Sequence, residues 1–301
     1  MKLKESNSNI KNSVLLPVFA VTAILGIIIR AVQMRFFIDA QTGFFTGGTA
    51  LNILFYLLLV STFIVFCAVS YISKDSAEID AVGIHDKKLA AVSIVFAVFM
   101  LFDSFSQLIN AFSFFDSISY QQLFLFKALM ASGTLPALLQ SLFAVISAVY
   151  FTVAAISFKK GNGSISNHKY IALAPVFWAG FKLIARFIKQ ISYVQVSDLL
   201  LELMMVAMMI VFFMAFAQTA SGVYSEDTRW RVIGFGLSSA LVAVVIGVPR
   251  FIFTFINSGV YLNDEYPFYS VDFVYAVFVV VLCICLIEKK NNNNSENSSD
   301  T

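Results

Sequence analysis

Residues 178–202 read WAGFKLIARFIKQISYVQVSDLLLE. Within this oily run Lys182, Arg186 and Lys189 fall at i, i+4 and i+7, one face of a helix, and Asp198 and Glu202 follow after a short turn. A cationic stripe is thus set to face an acidic one. If the enclosing segment 171–190 crosses a membrane, Lys182 lies about 16 to 18 Å along it, near the middle of a hydrocarbon layer about 30 Å thick. A lone charge there costs at least about 3 kcal/mol, so Lys182 is expected to face a partner, a ligand or water and not lipid.

The rest of the chain gives this stretch its setting. Of 301 residues 59% are hydrophobic and 13% charged, about half the charge an ordinary soluble domain carries, so a water-soluble core cannot absorb the apolar excess. Apolar runs long enough to cross a bilayer recur at 14–33, 50–72, 89–112, 135–157, 171–190, 198–220, 232–257 and 271–288. The expected fold is all-α: a polytopic transmembrane helix bundle of eight spans. Residues 1–13 form a cytoplasmic N-terminal segment, 14–288 the integral membrane domain, and 289–301, rich in Asn and Ser, a disordered cytoplasmic tail. The first run lacks a small-residue cleavage site and ends in Arg30, Gln33 and Arg35, so it is expected to stay as a span and not to be removed as a signal.

Most of the 20 Lys and Arg residues lie on alternate connections: the N-terminus, 73–88, 158–170, 221–231 and the tail. The positive-inside rule places both termini in the cytoplasm, as an even number of spans requires. Segments 34–48 and 258–270, rich in Phe and Tyr, are expected at the outer interface, and 114–133 as an interfacial or re-entrant piece.

The strong polar residues of the spans share one level. Arg30 lies about 24 Å from the start of its span, Asp103, Gln107 and Asn110 lie at i, i+4 and i+7 in the second half of theirs, and Gln140, Glu202 and Arg250 likewise fall in the outer half. Gln33 stands three residues past Arg30. The inner halves read as hydrocarbon with Cys, Ser and Thr. Pairing by depth joins Asp103 to Lys182 and Arg186 to Glu202. Four cations (Arg30, Lys182, Arg186, Arg250) against so few acids leave positive charge for an outward-facing cavity that takes an anion or an anionic headgroup. Pro249 adds a break: it removes the backbone bond to Val245 immediately before Arg250.

Two readings follow. In one, the protein binds or carries a small anionic or amphipathic solute; in the other it is a non-transporting sensor or assembly partner whose charges are structural pairs. The bilayer is the expected partner, with an anionic small molecule or lipid headgroup beside it and no nucleic acid.

No enzyme is expected. Gly161–Ser164 lacks the Gly-Lys-Ser/Thr ending of a phosphate loop, and His85 and His168 have no second ligand at metal spacing. Cys283 and Cys285 point to different helix faces, so neither a metal nor a cofactor is called for. A faint repeat lays Asp103–Gln107–Ile109–Asn110 on Arg250–Thr254–Ile256–Asn257, which suggests a parallel 4+4 duplication.

Three stretches carry a resemblance: Arg30–Gly43, Pro175–Arg186, and the run from Ser197 through Gly222. They resemble a loose group of uncharacterised multi-pass membrane proteins of low-GC Gram-positive bacteria. The resemblance implies a bacterial inner membrane as the home and carries over no function.

Overall fold

The computed structural model describes residues 14–37, 45–73, 86–117, 129–130, 132–161, 169–188, 196–222, 228–256 and 269–299. They form eight helices: α1 (Leu15–Val32), α2 (Thr49–Ile72), α3 (Lys87–Ser117), α4 (Thr134–Lys160), α5 (Ala174–Ile188), α6 (Val196–Ala220), α7 (Thr228–Ile256) and α8 (Ser270–Ser299). Each, α5 together with the 3-10 turn Ile171–Leu173 that leads into it, provides a stretch long and apolar enough to cross a membrane. The protein is an all-helical multi-pass membrane bundle, because helices alone satisfy every backbone group inside hydrocarbon without a neighbour's help.

Two boundaries differ from the expected ones. The first span does not stop at position 33 but continues through a π-helical turn, Gln33–Phe37, so that Arg30 and Gln33 lie inside it. The backbone of α8 is helical to Ser299, past Ile287 where its apolar span ends, so composition and not a helix end marks the start of the polar tail. The N-terminal segment, residues 38–44 and 258–268 of the aromatic connections, residues 118–128, and Lys189 lie outside the described residues.

The chain divides into two compact units, residues 80–223 and residues 1–79 with 224–301. In the first, α3 and α4 run antiparallel, tied by Phe96 on Phe151 at 4.7 Å and by Ser104 on Ser141 at 2.8 Å. The Asp86 amide, just before α3, donates to the Phe158 carbonyl at 3.2 Å, so Lys87, Lys88, Lys159 and Lys160 gather at one end of the pair. This is the basic end. α4 also packs on α5, and α5 on α6. Phe96, Phe151, Phe212, Phe213 and Phe216, all buried, form the aromatic centre, which supplies more contact area per residue than any other side-chain type.

In the second unit α7 is central. Its span is 78% buried because α1, α2 and α8 all lie against it, while α1 and α2 are only about a quarter buried and expose Val21, Ile24, Ile53, Leu57 and Ile64 as a lipid-facing surface would. Phe19 on Phe66 and Gln33 on Asn52 make α1 and α2 antiparallel; Phe63 on Phe235 and Tyr71 on Trp230 make α2 and α7 antiparallel. It follows that α1 and α7 run the same way. Gly26 makes their approach possible: a Cβ there would meet Val245 Cγ2 at 2.7 Å. Gly48, the residue before α2, holds a left-handed φ of 72° with the Phe37 ring against it, and the Thr46 amide donates to the Phe37 carbonyl at 2.9 Å. That turn fixes how the π-helical end of α1 returns into α2.

Candidate functional site

In the unit of residues 80–223 the polar centre is a carboxyl group. Asp103 Oδ2 accepts hydrogen bonds from Gln140 Nε2 and from Trp178 Nε1, both at 3.0 Å, and all three side chains are buried. Three helices, α3, α4 and α5, therefore converge on one oxygen. The Ser104–Ser141 pair, one residue on along α3 and α4, adds a second crosslink, with Ser141 also donating to the Ser104 carbonyl at 3.1 Å. In the absence of water each such bond matters because the alternative is an unsatisfied polar group in hydrocarbon.

Trp178 joins this oxygen to a cation. The Lys182 ammonium sits 4.9 Å from the Trp178 ring centre, one helical turn along α5, and Lys182 is 2% exposed. A desolvated cation over an indole gains up to about 2 kcal/mol, which offsets much of the cost of placing it there. Trp178, Lys182 and Arg186 at i, i+4 and i+8 form one buried stripe. At its far end Arg186 Nη1 lies 2.6 Å from Glu202 Oε2 on α6. The expected Arg186–Glu202 pair is present; Asp103 and Lys182, expected to face each other, share Trp178 between them. The Asp198 side chain lies outside the described residues. Gln107 is half-buried and Asn110 exposed, so the polar row of α3 turns from the packed interior toward the surface as it leaves Asp103.

In the other unit Arg30, 1% exposed, donates from Nη1 to Gln33 Oε1 at 3.1 Å, and Gln33 Nε2 donates to Asn52 Oδ1 at 3.0 Å. The Arg30 guanidinium also lies 5.9 Å from the centre of the Phe55 ring. The Gly26–Val245 contact sets the register of the parallel helices α1 and α7. Arg30 lies four residues beyond it on one and Arg250 five beyond it on the other, about 6 and 7.5 Å along, so the two arginines are level to within about 2 Å. Arg250 is buried, as is Asp272 in the first turn of α8, where the positive end of the helix dipole favours an acid. α7 stays helical through Pro249.

Sequence reasoning missed Trp178, Asn52, Phe55 and Asp272. Trp178 could have been found, standing one turn before Lys182 on the face already singled out. Asn52 and Phe55 carried no signal, since what recruits them is the return of the chain at Gly48.

The arrangement holds cations and acceptors at fixed depth; it contains no paired nucleophile and base, and among the described residues no group of three His, Cys, Asp or Glu stands close enough to hold a metal. Comparison with protein-family models, with curated proteins and with solved structures finds no match for this chain.

Proposed function

We propose that this membrane protein binds a small anionic or amphipathic solute, or an anionic lipid headgroup, through Arg30 and Arg250. The observation that carries the reading is the placement of two buried guanidinium groups at one level on the adjacent helices α1 and α7. Each presents a planar fork of donors suited to carboxylate or phosphate, and Gln33 and Asn52 extend the polar row beside them. The π-helical turn at Gln33 supports it further, because departures from regular α-helix are frequent at functional sites. The side of the membrane follows from the basic residues on alternate connections, which put the arginines outward and both termini in the cytoplasm, and the resemblance to multi-pass proteins of Gram-positive bacteria implies a bacterial inner membrane as the setting.

The test is thermal unfolding of the purified protein with a panel of carboxylates, phosphates and anionic lipids. A ligand at about a hundred times its Kd adds about 2.7 kcal/mol to the folded state, so the melting temperature rises. Arg250→Lys keeps the charge and loses the fork; it should abolish the ligand shift while moving the unliganded melting temperature little. If no compound shifts the wild type more than it shifts the Arg30→Ala, Arg250→Ala double variant, the reading fails.

A second reading, a non-transporting sensor or assembly partner, has its own support in the other unit. There Arg186 and Glu202 are paired at 2.6 Å and Asp103 is doubly hydrogen-bonded, which is how structural charges are held.

A further inference from the structure

The half of α4 toward the basic end carries buried hydroxyls where the sequence reads as hydrocarbon. Tyr150 is 1% exposed and Ser157 2%, and neither Tyr150 Oη nor Ser157 Oγ has a hydrogen-bond partner among the described residues. They lie seven residues apart and so on one face of the helix. The same broad face carries Gln140 and the fully buried Ser147, whose hydroxyl donates to the Phe143 carbonyl at 2.6 Å and keeps its lone pairs as acceptors. Across from it on α3 stands Ser93, buried, three residues before the Phe96 that meets Phe151.

We propose that the buried face of α4 holds a chain of bound water that runs from the basic end of this unit, past Ser157 and Tyr150, to the Asp103–Gln140–Trp178–Lys182 cluster. Buried polar groups in proteins are almost always satisfied, and buried water is the partner that reaches groups the chain itself does not. The ring neighbours of Tyr150, Phe151 and Phe216, offer no conventional acceptor. A tyrosine on a helix leans toward the helix N-terminus, so its hydroxyl reaches up toward the level of Ser147. From Gln140 to Ser147 the step along the axis is about 10 Å, the Tyr150 hydroxyl stands near the level of Ser147, and from there to Ser157 the step is about 15 Å, so the two long steps take roughly three and four water molecules at hydrogen-bond spacing. Such a chain would let the Asp103–Lys182 cluster exchange protons with the compartment at the basic end. It involves neither Arg30 nor Arg250 and stands or falls apart from the anion reading.

Hydroxyl radicals generated in place by an X-ray pulse modify side chains that touch water, and the full-length wild type contains its own control. Tyr275 is as buried as Tyr150, but its hydroxyl is bonded to Ser239 at 2.7 Å. In the purified protein in lipid nanodiscs, Tyr150 should be oxidised at least several-fold faster than Tyr275. Equal, slow oxidation of the two overturns the proposal. The continuity of the chain is read separately on Ser157→Cys, a near-isosteric change: a small methanethiosulfonate reagent should modify it from the basic side. Protection of that thiol, even with Tyr150 oxidised, overturns the continuous path.

Discussion

Removing the Asp103 carboxyl should unfold the unit that contains it more readily than any other single polar change in α3. Its Oδ2 is the shared acceptor of Gln140 and Trp178, at 3.0 Å each, and both donors are at most 3% exposed. In Asp103→Leu two buried N–H donors lose their partner at once. At about 1–3 kcal/mol per orphaned donor the loss would be about 2–6 kcal/mol. Polar pairs between membrane helices have been worth less, about 0.6 kcal/mol on average and about 1.7 at most, because the unfolded chain in the membrane also finds partners. The expected cost is therefore about 2–3 kcal/mol, a large share of a total stability of about 5–15. Reversible unfolding in mixed micelles, followed by Trp fluorescence or circular dichroism, measures it.

The decisive form is a double-mutant cycle with Trp178→Phe, which removes the indole N–H and keeps an aromatic ring beside Lys182. Once the donor is gone, losing the acceptor costs less, so the double variant should be more stable than the sum of the singles predicts by about 0.6–1.7 kcal/mol. Costs that add to within about 0.3 kcal/mol would show that the bond contributes nothing and that Asp103 matters only as volume.

Three further outcomes are expected. Arg186→Leu and Glu202→Leu should each lower folded yield sharply, by about 3–5 kcal/mol where the surviving charge stays buried, and the double variant should recover most of it; a double as impaired as the worse single would show the 2.6 Å pair to be incidental. Gly26→Ala should destabilise by about 1–3 kcal/mol, since the new methyl meets Val245 at 2.7 Å and a valine has few rotamers to yield with; an unchanged melting temperature would mean that α1 and α7 are not tightly seated. Cysteines placed at Gly43 or Asp264 should be labelled from outside whole cells and one at Gly161 should not, the reverse pattern inverting the orientation.

The spans were legible because their signal is additive: eighteen or more apolar residues in a row need no knowledge of a neighbour. The Arg186–Glu202 pair was legible for a related reason, as two opposite charges at matched depth on consecutive helices have few other places to go. Asp103 was placed among the buried polar residues, but its two neutral donors, Gln140 and Trp178, were not foreseen. Depth matching counts charges and ignores the indole N–H, a neutral donor that reaches the carboxyl at 3.0 Å while its ring carries the lysine. Tyr150 and Ser157 were passed over for the opposite reason. In a sequence a tyrosine among Val, Phe and Ala reads as apolar, and only packing reveals that its hydroxyl is enclosed with no partner among the described residues.

The faint repeat raises a last question of how far letters and packing run together. A duplication that carries Asp103 onto Arg250 equates α3 with α7, α4 with α8, α1 with α5 and α2 with α6. The compact units are α3 to α6, and α1, α2, α7 and α8, so each holds one member of every equated pair and the two can be compared helix by helix. In the first, α4 packs most heavily, on α3 and on α5, and α5 in turn joins it to α6. Its counterpart α8 packs chiefly on α7, and α7 itself, the counterpart of α3, takes the central place. The residues at the equated positions have parted likewise: Asp103 is an acceptor that draws three helices together, whereas Arg250 is a cation set directly after a proline. The two polar centres are therefore best treated as separate devices, one that ties helices together and one that presents cations, and substitutions in either should leave the function of the other intact.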